Sequence, residues 1–185
     1  RREYNAKRWS TGYVFSAVNR GDVILTEMKN DRPTGMNALV MNSRKKIFKN
    51  RRVREALGYA YDFEWVNRII YNNAYTRTNS YFENSPLASQ GLPSENELSL
   101  LNQWKSALPE EVFTKTYDAP TTNESITLRK NLKVAKKILE EEGWIIKNGK
   151  LMKNEEKFTF EFLIVSPSLE KLALSFQKNL KILGI

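Results

Sequence analysis

Apolar residues return every three or four positions in several stretches, and each such stretch predicts a helix with one buried face. Val53, Ala56, Leu57 and Ala60 fall at i, i+3, i+4 and i+7 behind a capping Asn50. Asp62 is placed to cap the next helix, Phe63 to Tyr71, whose inner face is Phe63, Val66, Asn67 and Ile70. Ser94-Glu95-Asn96-Glu97 fits a capping box, with a helix to about Ala107 closed by Pro109. Thr127 caps a helix carrying Leu128, Leu132, Ala135 and Leu139, and Gly143 stops it. The last helix runs from about Ser168 to Leu183 with a stripe of Leu169, Leu172, Ala173, Phe176, Leu180 and Leu183, ended by Gly184. Tyr4 to Val18 is more weakly helical: Trp9 and Tyr13 stand four apart, but Gly12 interrupts.

Other stretches read as strands. Val23–Met28 is β-rich, and Met36–Asn42 is a mostly buried run. "WIIKNGKLMK" predicts a hairpin turning on Asn148-Gly149, the dipeptide of a type I′ turn. "KFTFEFLIV" puts Phe158, Phe160, Phe162 and Ile164 on one face. Strands and helices are mixed, with at least one strand–helix unit at the end, which points to an α/β or α+β domain with helices packed on a mixed sheet. Glu140 to Glu142 sit at the negative end of their helix, where the macrodipole opposes them, and nothing local accounts for this.

At 185 residues the chain is one domain or a pair of small lobes. Its formal charge of +9 favours anionic partners, and Arg51, Arg52 and Arg54 raise a basic nucleic-acid-binding domain as one reading. These arginines, with Glu55, lie on the flanks and far side of an apolar stripe, so the other reading is a solvated helix flank. No Cys or His is present, which removes thiol and imidazole nucleophiles, disulfides and Cys/His zinc sites. No apolar run approaches the roughly 18 residues that cross a bilayer. The chain starts "RREYNAKRWS", without an apolar leader, and stops just after Gly184; both ends read as cut from a longer protein.

Little in the sequence supports catalysis. Ser168 and Lys171 have S-x-x-K spacing, but the companion motifs are missing and Ser168 sits where a cap or first-turn residue belongs. Paired carboxylates lie in loops and helix ends, and no metal-ligand spacing is evident. No enzyme activity, metal or cofactor is therefore expected. The loop from Asn72 to Pro93 is more distinctive. Tyr75, Tyr81 and Phe82 are interleaved with Thr76, Arg77, Thr78 and Asn79. It is either a surface loop tacked down by its aromatics or the wall of a binding cleft, with Arg77 as a charged donor.

The stretch "RPTGMNALVMNSRKKIFKNRRVREALGYAYDFEWVN" resembles the hallmark region of the family 5 extracellular solute-binding proteins, the peptide- and oligopeptide-binding components of bacterial ABC importers. The matching positions are Asn42, then Asn50, Arg52, Val53, Arg54, Ala56, Leu57, Ala60 and Asp62. "YTRTNSYF", Tyr75 to Phe82, and "RPTGM", Arg32 to Met36, look like one subgroup, the oligopeptide-binding proteins typified by a microcin and peptide importer. "NLKVAKKILEEEGW", a strand and a helix ending "LGI" follow in the family's usual order.

The resemblance implies a class II periplasmic-binding-protein-like lobe, residues 1–185 forming most of the distal, C-terminal one. It implies a non-catalytic receptor that binds peptides between two lobes and delivers them to an inner-membrane ABC permease. It also implies a monomer, exported to the periplasm or cell surface, that takes no nucleic acid. By carry-over from the subgroup's motifs, Arg32, Thr34, Tyr75, Arg77 and Tyr81 are expected nearest the ligand. The acidic residue that grips the peptide amine in such proteins is expected beyond Ile185.

Overall fold

The computed structural model describes residue 3 and residues 5–28 and 30–185. In chain order these form α1 (Ala6–Thr11), α2 (Ser16–Asn19), α3 (Lys46–Lys49), α4 (Arg51–Tyr59), α5 (Phe63–Ile70), α6 (Glu95–Leu101), α7 (Glu111–Thr114), α8 (Leu128–Glu141), β1 (Ile145–Lys147), β2 (Lys150–Lys153), β3 (Glu156–Lys157) and α9 (Glu170–Ile182). The chain divides into two compact units. The first takes Leu39–Thr76 and Pro120–Ile185 with the N-terminal stretch to Thr26; the second takes Glu27–Ala38 and Arg77–Ala119.

The first unit holds the main core, and the predicted stripes build it. Val53, Ala56 and Leu57 of α4 are buried with Leu132, Ala135, Ile138 and Leu139 of α8. Phe176 and Leu180 of α9, Leu151 of β2 and Phe158 join the same cluster. Ring contacts extend it: Trp144 meets Phe158 edge-on at 4.7 Å, Phe48 meets Phe160 edge-on at 5.2 Å, and Phe162 meets Phe176 at a tilt at 5.6 Å. Such tilted pairs let a ring edge face a neighbour's electron-rich face.

The caps follow the sequence closely. Asn50 accepts from the Arg52 N–H, Asp62 from Trp65, and Thr127 from Lys130. Ser94 and Glu97 close a reciprocal capping box on α6, in the second unit. α6 gives way to a 3₁₀ turn over Asn102–Trp104, so the regular helix ends at Leu101, short of the expected end near Ala107. Ser166, not Ser168, caps the turn before α9; Ser168 donates its N–H to the Ser166 hydroxyl. Trp9 and Tyr13 pack at 6.0 Å, but the helical stretch breaks into α1 and α2 around Gly12; Tyr4, where it was expected to begin, lies outside the described residues.

The hairpin turns where predicted. Asn148 and Gly149 both have positive φ, and Lys147 faces Lys150. Two successive residues at positive φ make a type I′ turn, whose twist matches the right-handed twist of the paired strands. Gly184, also at positive φ, lies against the hairpin: its carbonyl accepts the Leu151 N–H at 2.8 Å. A Cβ there would stand 2.7 Å from the Leu151 nitrogen.

The acidic end of α8 finds its explanation in packing. Glu141 pairs with Arg52 at 3.0 Å and Glu142 accepts from the Asn50 side chain at 2.5 Å. α8 thus runs antiparallel to α4, and its acidic end meets the positive N-terminus of α4. Lys153 adds a donor to the Glu142 carbonyl at 2.7 Å, covering one of the open C-terminal acceptors.

The expected mixed sheet is corrected. Among the described residues the one sheet is antiparallel, β1-β2-β3. Val23–Met28, Met36–Asn42 and the stretch after Lys157 enter no ladder. A strand exists only where a neighbour takes its N–H and C=O groups, and alternation by itself supplies none. The alternation survives without the pairing. Leu39 and Met41 pack on the core while Val40 is 91% exposed; Phe158, Phe160 and Phe162 turn inward while Leu163 is 94% exposed.

Candidate functional site

The arginines of α4 are engaged within the chain. The Arg52 guanidinium donates to Glu55 at 2.8 Å and to Glu141 at 3.0 Å. Glu55 first, and Glu141 after it, outweigh the opposing desolvation and raise its pKa above the ordinary guanidinium value. Arg54 donates to the carbonyls of Phe48 and Lys49 at 2.6 and 3.0 Å, closing the end of α3. Asp62, besides capping α5, accepts the Thr122 hydroxyl at 2.6 Å, and Glu64 accepts the Thr122 N–H at 2.9 Å. The polar residues of this motif hold helix ends and crossing segments together, so its arginines are architectural.

The aromatic loop starts at the end of α5. Asn72 and Asn73 both take left-handed backbone conformations and turn the chain back. The Asn67 carbonyl accepts the N–H groups of Tyr71 and Asn73. The Asn67 side chain then takes both backbone groups of Tyr75: its oxygen accepts the Tyr75 N–H at 3.1 Å, and its amide donates to the Tyr75 carbonyl at 2.6 Å. The Tyr75 ring stands edge-on to Tyr71 at 4.8 Å and remains 49% exposed. Burial, with Tyr75 beside it, raises the Tyr71 phenol above its ordinary pKa, so that hydroxyl stays neutral.

In the second unit, two segments far apart in sequence meet. The Glu83 carbonyl accepts from the Thr34 N–H at 2.9 Å and from its hydroxyl at 3.3 Å. Asn84, itself at positive φ, donates its side-chain amide to the carbonyls of Asn30 and Arg32 at 3.0 and 2.7 Å. The Glu83 carboxylate accepts the N–H groups of Asn79 and Ser80. The Ser80 hydroxyl, buried, accepts from Phe82 and Ser89. The connector is therefore wound on its own polar side chains, and it leaves Tyr81 76% exposed.

Of the five residues expected near a ligand, Arg32, Thr34, Arg77 and Tyr81 fall in the second unit. Glu83 and Asn84 bring the segment bearing Arg32 and Thr34 against the one bearing Arg77 and Tyr81. Tyr75 belongs to the first unit. Sequence reasoning missed Asn67, Glu83 and Asn84 as organisers. Periodicity places Asn67 only on the inner face of a helix, although a polar residue there signals a buried or local partner.

Two concavities lie elsewhere, in the first unit. One, of about 110 Å³, is lined by Asn50, Val53, Trp144 and the Lys46–Glu156 pair; the other, of about 430 Å³, opens on the hairpin. The first is below the roughly 300 Å³ at which small-molecule sites begin. Among the described residues, no three His, Cys, Asp or Glu side chains gather as a metal site would require, and no helix is long and apolar enough to cross a membrane.

Comparison with known proteins agrees with this architecture. The chain is 40% identical over 98% of its length to the "peptidoglycan-binding protein YepA" of Agrobacterium fabrum, covering 30% of that protein. It is 39% identical over its whole length to the "probable peptide-binding protein YejA" of the same organism and 38% identical to the "uncharacterized protein YejA" of Escherichia coli, covering 31% of each. The chain thus spans about a third of the length of these relatives. Residues 4–185 match the middle region of the bacterial extracellular solute-binding proteins, family 5, and the chain belongs to that family.

Proposed function

We propose that this chain is part of a receptor that binds peptides and hands them to an ABC permease in the bacterial inner membrane. It acts as a monomer outside the cytoplasm, in the periplasm or at the cell surface, and binds rather than catalyses. Its 185 residues form most of the distal lobe of a class II binding protein, and the ligand is held where that lobe and its counterpart close. What carries the reading is a solute-binding family membership along the whole chain combined with polar-aromatic connectors that keep Tyr75 and Tyr81 outward. A relative named for peptide binding, alike over the full chain, supports the substrate class.

The chemistry suits a varied ligand. Backbone groups are common to every peptide, so recognition through them tolerates different side chains. Tyr75 and Tyr81 supply flat apolar area with a polar tip, and Arg32 and Arg77 supply charged donors for carbonyls or a carboxylate. Thr34 holds its connector by its bonds to Glu83. Closure of two lobes then makes affinity depend on a shift between open and closed forms.

Native mass spectrometry of the full-length receptor, purified without unfolding, tests the reading. Ligands released from it should fragment as peptides. Release of sugars or metal chelates alone would overturn the substrate class.

A further inference from the structure

We propose that Asn67 is the positioning residue for Tyr75, presenting its ring to the ligand in a preset orientation; this rests on the reading of Tyr75 as a ligand contact. One side-chain amide satisfies both the N–H and the C=O of Tyr75, at 3.1 and 2.6 Å. Pairing both backbone groups of a residue fixes its peptide planes as a neighbouring strand would, without needing a strand. The base of the clamp is firm. Asn67 follows the buried Val66 on α5, and its carbonyl also anchors the reversal through Asn72 and Asn73. Tyr71, edge-on at 4.8 Å, limits the ring on one side, and Tyr75 stays 49% exposed.

A ring held in this way loses little freedom when a ligand covers it. Affinity therefore gains from an ordering cost met during folding. An aromatic on a loose loop would offer the same surface with weaker binding. The clamp thus acts on the ligand only through Tyr75, and that dependence can be measured.

The experiment is calorimetric titration of the full-length receptor with a pool of alanine tri- to hexapeptides. Four proteins are compared: wild type, Asn67→Ala, Tyr75→Ala and the double variant. Tyr75→Ala should weaken binding about tenfold. Asn67→Ala should weaken it about fivefold alone, and by less than about twofold when Tyr75 is already alanine. Asn67→Asp replaces the amide donor with a carboxylate oxygen that repels the Tyr75 carbonyl, 2.6 Å from the donor in the wild type. It should weaken binding at least as much as Asn67→Ala, again only while the Tyr75 ring is present, and it carries the test if Asn67→Ala does not fold. Hydrogen exchange at the Tyr75 amide should quicken in both variants. Wild-type affinity in Asn67→Ala, or a fivefold loss that persists without the Tyr75 ring, overturns the positioning role and leaves the peptide reading standing. A wild-type receptor that binds none of the pool overturns both.

Discussion

The Arg52 guanidinium donates to Glu141 across 3.0 Å, tying the first turn of α4 to the last turn of α8. Each residue sits at the end of its own helix where the macrodipole opposes its charge. Antiparallel packing places each beside the other helix's favourable end, so two local penalties become one tertiary contact.

Both groups are partly exposed, so the pair contributes modestly. Glu141→Gln should lower unfolding stability by about 0.5 kcal/mol at low salt. Urea melts repeated in 1 M salt should shrink the difference, because screening acts within about 3 Å there.

Apolar truncation should act far more strongly where the stripes meet. Leu57, 1% exposed between α4 and α8, should cost about 3 kcal/mol as Leu57→Ala. Leu163→Ala, on the open side of its segment, should stay within about 0.5 kcal/mol in the same chemical melt.

Gly184→Ala should be costly for two separate reasons. The position has φ of +81°, and the new methyl would meet the Leu151 nitrogen at 2.7 Å and the Lys150 carbonyl carbon at 3.0 Å. Both neighbours are backbone and cannot swing away, so a loss of about 2 kcal/mol or more is expected. Gly35, with open space around its Cβ position, supplies the control: Gly35→Ala should leave the melting temperature nearly unchanged.

Acid should act on α6 through its capping box. The Ser94 backbone N–H first, then its hydroxyl, hold the Glu97 carboxyl below its ordinary pKa of 4.5. A depressed folded-state pKa contributes stability that is full above the ordinary value and is lost as pH falls through the folded one. A carbon-detected NMR titration should find Glu97 titrating low in the wild type. In Ser94→Ala the hydroxyl bond is gone while the backbone N–H remains, so Glu97 should move only part of the way up.

The 185-residue chain on its own should bind the peptide pool at least about tenfold more weakly than the full-length receptor, since it lacks the closing partner. Calorimetric titration of both gives the ratio. Equal affinities would mean that closure adds nothing.

Much of the helical framework was legible in the residues themselves. Asn50, Asp62, Ser94 and Thr127 cap where their side chains predict, and the stripe on α8 is the one that enters the core. Caps and turns are settled by groups two or three positions apart, so the local sequence contains both partners. The match to the hallmark motif was legible for the same reason, since its residues brace one compact set of helix ends. Tertiary structure alone decided the rest. It left the alternating runs at 36–42 and 158–165 outside any ladder, gave Glu141 and Glu142 their partners at the start of α4, and brought Glu83 and Asn84 to the segment around Arg32. It also turned Asn67 from one face residue of a helix into the clamp on Tyr75. Those outcomes depend on partners distant along the chain or reached only after it reverses, and periodicity carries no information about which distant group will arrive.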